Sequence, residues 1–331
     1  MYIGIYALLN SYRGDVFLNY KILNFCEIDK NAEKSYCAIH NIDVKLNLGD
    51  ISKINIESLP TEGITLITHG SPCVAFSRAG LNLGGDKGSG TPSALMWNSV
   101  EIIKHCKPKF VIWENVSNVL SPKHRHNFEE YISELSDIGY NSYYRVMNAK
   151  NYGCPQNRDR IFVLSIRKDI DKGFIFPEEV ILNKTLRDIL QKEEEIESKY
   201  YLTETQINRI KNTTYMVGKR RIQYKDWCDT LCARDWKDPK CVEDKKGIRK
   251  LTPLEYWRIQ GFSDVDFYKA VGSGQSNSSL YKQAGNSISY DVLKALFKEI
   301  IYQYGSIFTE NLTYLSLFSG IGAFEMVLRD I

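Results

Sequence analysis

The sequence predicts an α/β protein, an open sheet flanked by helices, with a smaller irregular region set apart from it. Three observations lead there. Residues 64–68, 110–113 and 161–166 are short apolar, β-rich runs with the length and composition of buried strands. Stretches with helical spacing fall between or beside them, at 31–40, 93–107 and 128–138. That rhythm stops after about residue 168, and residues 169–248 are charged and irregular, with Glu193-Glu194-Glu195 and several aromatics.

Composition bounds the function loosely. A chain of 331 residues suits one large domain and a smaller one. The net charge of +3 is too small to argue for nucleic acid by itself. Basic residues do cluster, in Lys123-His124-Arg125-His126 and in Lys219-Arg220-Arg221 with Lys225, where a solvated face is as good a reading as a nucleic-acid contact. No apolar stretch approaches a membrane span and no cleavable signal heads the chain, so a cytoplasmic protein is expected. The eight cysteines lack short paired spacing and read as reduced thiols. Cys228, Cys232 and Cys241 lack a fourth ligand and a standard zinc spacing, so no metal is expected.

Taken in order, residues 1–17 carry no motif and are expected to add a strand or a helix. Residues 21–26 read as a strand ending in Glu27-Ile28-Asp29, and an acid at that place in a nucleotide-binding sheet can accept both ribose hydroxyls. A helix follows over 31–40, and Leu48-Gly49-Asp50-Ile51 closes a further short strand with another acid. The strand at 64–68 ends in Gly70-Ser71-Pro72-Cys73. Pro72 stops the strand, and the small residues leave room for a substrate beside the thiol. Such a cysteine is a nucleophile if its thiolate is favoured, and a small buried apolar residue otherwise.

The run Gly84 to Gly90 is too rich in glycine for a core and reads as a mobile loop able to close over a substrate. The strand at 110–113 ends in Glu114-Asn115-Val116, where burial would raise the carboxyl's pKa and suit it to general-acid work. Residues 142–147 alternate as a strand. Arg158 and Arg160 enter the next one at alternate positions, so they share a face and together suit an anionic or carbonyl-rich ligand. Pro253 opens a helix that ends at Gly261, residues 281–287 form a turn, and a helix follows over 290–302. The last stretch is a strand at 314–318 and then Ser319-Gly320-Ile321-Gly322, a glycine turn into a helix. Glu325 stands where a dinucleotide fingerprint wants a third glycine, and an acid at a helix start disfavours phosphate. A cofactor with a cationic centre and no phosphate, such as S-adenosylmethionine, fits better.

As a set these stretches resemble the bacterial and phage DNA (cytosine-5)-methyltransferases. Phe318-Ser319-Gly320-Ile321-Gly322 is similar to that family's first motif, Glu27-Ile28-Asp29 to its second and Gly49-Asp50-Ile51 to its third. Gly70-Ser71-Pro72-Cys73 resembles the catalytic Pro-Cys motif, Glu114-Asn115-Val116 the Glu-Asn-Val motif, and Gln156 to Arg160 the Gln-x-Arg-x-Arg motif. Arg249-Lys250-Leu251-Thr252-Pro253 and Gly285-Asn286-Ser287 resemble the last two. The first motif comes last here, so the chain looks circularly permuted, a rearrangement tolerated where termini lie close together. Val74 stands in place of a common Gln, and Ser316 in place of an acid that some members place near the cofactor's amino group.

The resemblance implies a Rossmann-like S-adenosylmethionine-dependent methyltransferase sheet and a target-recognition domain. Residues 1–168 and 284–331 would form the catalytic domain and 169–283 the recognition domain. It implies methyl transfer to C5 of a flipped cytosine in double-stranded DNA, with Cys73 as nucleophile, Glu114 as acid, and Arg158 and Arg160 on the base. Phe318, Gly320, Ile321, Gly322, Glu27, Ile28, Asp50, Ile51, Pro72 and Asn286 would line the cofactor. Ser77, Arg78, Thr230, Leu231 and Arg234 would touch DNA. A monomer is expected, with a cognate restriction endonuclease as a possible partner. A tRNA cytosine-5 methyltransferase, or a catalytically silent DNA-binding regulator on the same fold, are the alternatives. The first shares the chemistry but usually has a shorter recognition region; the second would have lost Cys73 or Glu114.

Overall fold

A computed structural model describes residues 18–77, 80, 82–212 and 221–331. Residues 1–17, Arg78, and Lys219 and Arg220 of the basic run lie outside the described residues. The strands are β1 (Tyr20–Cys26), β2 (Leu66–His69), β3 (Phe110–Val116), β4 (Tyr140–Asn148), β5 (Gln156–Asn157), β6 (Asp159–Arg167), β7 (Cys228–Asp229), β8 (Cys241–Asp244), β9 (Gly247–Lys250) and β10 (Leu312–Leu317). The helices that matter below are α1 (Lys30–His40), α2 (Met96–Cys106), α3 (Arg125–Asp137), α4 (Glu204–Lys211), α5 (Pro253–Ile259), α6 (Asp264–Gly272), α7 (Asn277–Asn286), α8 (Tyr290–Tyr304), α9 (Ser306–Thr309) and α10 (Ala323–Asp330).

Six strands form one sheet in the order β1-β10-β2-β3-β6-β4. The first four run parallel, whereas β6 pairs antiparallel with both β3 and β4. The strand nearest the end of the chain therefore sits inside the sheet, with Tyr20 to Cys26 on one side of it and Leu66 to His69 on the other. Because β6 is reversed, its first residues lie at the same edge as the last residues of the parallel strands. That edge gathers Glu27, Cys73, Glu114, Arg160 and the glycine turn after β10, where open α/β sheets bind ligands.

The core follows the strand alternation. Leu66, Ile112, Leu164 and Tyr314 face α8 and α10, packing with Leu293, Leu296, Phe297 and Val327. Ile67, Val111, Val163 and Leu315, one residue along, face α2 and α3 and pack with Met96, Val100, Ile103, Tyr131 and Leu135. A sheet buried on both faces needs such continuous apolar runs. Local chemistry sets the helix starts. Asp29 caps α1 by accepting from the N–H groups of Asn31 and Ala32, and Thr252 and Glu255 form a capping box around Pro253 at the head of α5.

Two expected elements differ. Residues 48–51 form no strand, because the Asp50 carboxylate accepts from the N–H of Ser52 and turns the chain into a 3₁₀ turn at Ile51–Lys53. Residues 281–286, expected as a turn, are the second half of α7. The irregular region has a small core of its own, Ile210, Ile222, Cys241 and Ile248, while Leu231, Leu251, Tyr256 and Trp257 join the large one.

Candidate active site

The loop after β2 is fixed from two sides. Ser71 Oγ accepts from Trp113 Nε1 at 3.1 Å, and Asn115 Nδ2 donates to the Ser71 carbonyl at 3.1 Å. On the other side Ser93 Oγ donates to the Pro72 carbonyl at 2.6 Å and accepts from the N–H of Ala75 at 3.1 Å. The carbonyl of Cys73 accepts from the N–H groups of Phe76 and Ser77, so the thiol stands at the head of a single helical turn. Cys73 is half-buried. Burial pushes its thiol up, Arg160 and Arg158 pull it down, and Glu114 opposes them.

Glu114 and Arg160 are diagonal neighbours across β3 and β6, since Arg160 stands opposite Val116 and Glu114 lies two residues back on the same face. Arg160 Nε meets Glu114 Oε1 at 3.0 Å, and both side chains are largely buried. Burial raises the Glu114 carboxyl, with Arg160 and then Arg158 opposing it. The two arginines, expected to act as a pair, part company. Arg158 is 3% exposed and donates to the carbonyls of Leu231 at 2.9 Å, Gly285 at 3.2 Å and Ser287 at 2.7 Å. It braces two segments of backbone, at 231 and at 285–287, while its charge still reaches Cys73 and Glu114. A buried guanidinium needs acceptors for its donors, and the three carbonyls take those of its two terminal nitrogens, while Nε has no partner among the described residues.

At the glycine turn, Phe318 has φ of 56° and Gly320 and Gly322 have φ of 58° and 81°. A left-handed Phe is unusual and marks a place held by its surroundings. Glu27 Oε2 accepts from the N–H of Gly320 at 2.8 Å and Oε1 from the N–H of Asp29 at 2.7 Å, and burial raises its carboxyl. The carbonyl of Ile321 meets His40 Nε2 at 3.0 Å. Ile28 is 67% exposed beside this turn, whereas Ile51 is buried in the core among the residues facing α2. Of the two isoleucines expected to line the cofactor, only Ile28 is presented. Asp50 is engaged with Ser52, and Asn286 is exposed at the end of α7. Glu325 does not face the helix mouth. It is fully buried, and its Oε1 accepts from the hydroxyl of Tyr36 at 2.8 Å. Burial raises this carboxyl, which is not presented at the turn, so only the missing third glycine disfavours a dinucleotide there.

The loop at 84–90 is tied down. Gly85 donates its N–H to Asn127 Oδ1 at 3.2 Å and its carbonyl accepts from Trp97 Nε1 at 2.7 Å. Asp86 accepts from Asn127 and pairs with His126, each at 2.6 Å, and Lys87 pairs with Glu134. Gly85 serves close packing, since a Cβ there would overlap the ring of Phe76, whereas Gly84, Gly88 and Gly90 take a positive φ. The expected lid is, in this state, a strap on α2 and α3. In the recognition region Thr230 Oγ1 donates to the carbonyl of Asn157 at 2.6 Å, and the N–H of Leu231 donates to Gln156 Oε1 at 3.0 Å. The Leu231 side chain is buried in the large core, while Arg234 is exposed. Sequence reasoning passed over Ser71, Trp113, Asn115 and Ser93. Ser71 and Asn115 lie inside the Pro-Cys and Glu-Asn-Val motifs, but nothing marks a serine some twenty residues downstream as a partner of Pro72.

A mostly parallel sheet with its chemistry at one edge is the architecture of Rossmann-like methyltransferases. It superposes on the S. pombe Dnmt2 methyltransferase with a TM-score of 0.68, at 20% identity over 91% of this chain and 96% of that one. For the Entamoeba histolytica methyltransferase EhMeth the TM-score is 0.64, at 17% identity over 92% and 95%. A family model for the C-5 cytosine-specific DNA methylases matches residues 4–302, and the chain belongs to that family. It is 36% identical to the type II methyltransferase M2.ScrFI of Lactococcus lactis subsp. cremoris over 77% of this chain and 71% of that protein. It is 30% identical to the orphan methyltransferase M.SPRI of Bacillus phage SPR over 88% and 94%. Among the described residues no helix is long and apolar enough to cross a membrane.

Proposed function

We propose that the protein methylates C5 of a cytosine flipped out of double-stranded DNA at a specific sequence, with S-adenosylmethionine as methyl donor. The observation that carries this is the buried Glu114–Arg160 pair, 3.0 Å apart, on the sheet edge that bears Cys73. The residues at the glycine turn suit the cofactor. A Cβ at Gly320 would meet nothing within 4 Å, so its surface is open, and the Glu27 carboxylate beside it has further lone pairs for ribose hydroxyls. Exposed Ile28 offers an apolar face for a ring, and Phe318, Ile321, Pro72, Asp50 and Asn286 complete the proposed surroundings. When bound, S-adenosylmethionine supplies an electrophilic methyl group on a sulfonium.

The protein's part is covalent and acid catalysis. The Cys73 thiolate adds to C6 of the base, the C5–C6 π electrons move into the ring, and N3 takes the proton of Glu114. C5 is then an enamine carbon and would take the methyl group, whose bond to the sulfonium sulfur breaks to leave the neutral thioether S-adenosylhomocysteine. The C5 proton passes to a solvent base, the C5–C6 double bond re-forms, the bond from C6 to sulfur breaks, and Glu114 recovers its proton. Arg160 holds the charge at the carboxylate and the base carbonyl. Extruding the base costs a few kcal/mol of stacking and pairing. Ser77 and Arg78 after the cysteine, and Thr230 and exposed Arg234 in the recognition region, are proposed to hold the strand.

We also infer that the chain is circularly permuted within its family. The family match stops at residue 302, ahead of β10. In space β10 and its glycine turn stand next to β1, with the charges of Glu325, Arg329 and Asp330 reaching the Tyr20 phenol. The test of function is methyl transfer to unmethylated DNA, read by bisulfite sequencing, for wild type and Cys73→Ser. A Cys73→Ser enzyme within tenfold of wild type, or methyl groups found on RNA and not on DNA, would overturn the reading. Sedimentation of the free protein tests the monomer. Cutting of the same unmethylated sequence by extracts of the source cell tests for a restriction partner.

A further inference from the structure

We propose that Ser93 is a positioning residue for the reaction: its hydroxyl closes the loop on both sides of Cys73 and ties the thiol to the rigid start of α2. The inference rests on Cys73 being the nucleophile. Ser93 is fully buried. Its Oγ donates to the carbonyl of Pro72 and accepts from the N–H of Ala75, so one side chain bridges the backbone across Cys73 and Val74. Ser93 follows Pro92, which opens the 3₁₀ turn Pro92–Leu95, and that turn runs directly into α2. α2 is anchored through buried Met96, Val100 and Ile103. The loop is thus referenced to a packed helix on one side and, through Ser71, to Trp113 and Asn115 of β3 on the other.

Removing the hydroxyl leaves the Pro72 carbonyl and the Ala75 N–H without this partner, and the loop must shift for them to find others. The reacting sulfur needs to stand about 3–3.5 Å from C6, and a misplacement of about 1 Å costs on the order of a hundredfold in rate. Ser99 provides a matched comparison. It lies on α2, is buried, and its hydroxyl has no hydrogen-bond partner among the described residues.

The experiment compares wild type, Ser93→Ala, Ser93→Cys, Ser99→Ala and Cys73→Ser. Single-turnover methyl transfer is measured alongside the rate of covalent trapping on DNA carrying 5-fluorocytosine, whose fluorine cannot leave as a proton. Dissociation constants for DNA and S-adenosylhomocysteine and the melting temperature are measured in parallel. Ser93→Ala should slow both methyl transfer and trapping by about ten- to a hundredfold, with both dissociation constants within about twofold of wild type. Ser99→Ala should match wild type. Ser93→Cys fills the space with a slightly larger and more weakly hydrogen-bonding group, so it should fold and fall between, which decides the matter if the alanine variant does not fold. Trapping within threefold of wild type in the Ser93 variants, or a loss matched by equally weakened binding, would overturn the proposal. Activity in Cys73→Ser would instead overturn the nucleophile reading on which it stands.

Discussion

Arg160→Gln should move the whole pH profile of methyl transfer to the alkaline side. Arg160 Nε is 3.0 Å from Glu114 Oε1, with side-chain exposures of 15% and 11%, so water screens the pair little. Two unit charges about 4 Å apart at an effective dielectric of about 20 attract by about 4 kcal/mol. Losing even a third of that would shift a titration by about one pH unit. Burial already raises the Glu114 carboxyl, and Arg160 is the largest opposing influence. Without it the carboxyl keeps its proton to higher pH, and the limb on which the acid is lost moves up. Arg160 is also the largest influence lowering the Cys73 thiol, ahead of the opposing effect of Glu114, so the limb on which the thiolate forms moves up as well. The assay is the single-turnover rate at saturating DNA and cofactor, measured from pH 6 to 10 in both proteins. The midpoints are compared within each profile, so a lower overall rate in the variant does not blur them. An unmoved profile, or a shift to acid, would refute the pairing as the source of the tuning.

Three further outcomes follow from the structure. Gly322→Ala should lower the melting temperature and weaken cofactor binding together, because φ is 81° and the added Cβ would overlap His40 and Tyr36; a loss of more than about 1 kcal/mol is expected in denaturant melts. Burial raises the Asp291 carboxyl to about 6, so the folded state holds that proton where the unfolded chain has lost it, and the associated stability is present below pH 4 and lost as the pH rises through 6. Asp291→Asn should therefore match wild type near pH 4 and exceed it by about 2–3 kcal/mol at pH 8, as measured by urea melts at the two pH values. Deleting residues 312–331 removes β10 from between β1 and β2 and should abolish both the cooperative thermal transition and binding of S-adenosylhomocysteine; a truncated protein that still melts cooperatively would show that β1 and β2 can pair without it.

The sheet was legible because buried parallel strands require continuous apolar runs, and the runs ending at Gly70 and Glu114 stand out against charged surroundings. The edge residues were legible for the same reason, since a strand end fixes where the next residue goes. What escaped were features decided by tertiary neighbours. Two arginines at alternate positions look equivalent in sequence, yet Arg158 finds the carbonyls of Leu231, Gly285 and Ser287 while Arg160 finds Glu114. Ile28 and Ile51 both follow an acid, and only the packing against α2 separates the exposed one from the core one. A glycine-rich run such as 84–90 has the composition of a loose loop, and partners on α2 and α3 hold it instead.

The place of β10 also bears on how the protein is made. In the direction of synthesis, β1 emerges early but its sheet neighbour is β10, nearly three hundred residues later. Until Leu317 has left the ribosome, β1 and the facing edge of β2 have unpaired backbone groups, and Leu315 and Tyr314 are missing from both layers of apolar packing. The catalytic half therefore cannot close strand by strand as it is translated. It must wait, with exposed strand edges open to wrong pairing, and then insert β10 between β1 and β2 in one late step of high contact order. A nascent chain of this design has more need of chaperone cover than one whose sheet is laid down from its centre outward.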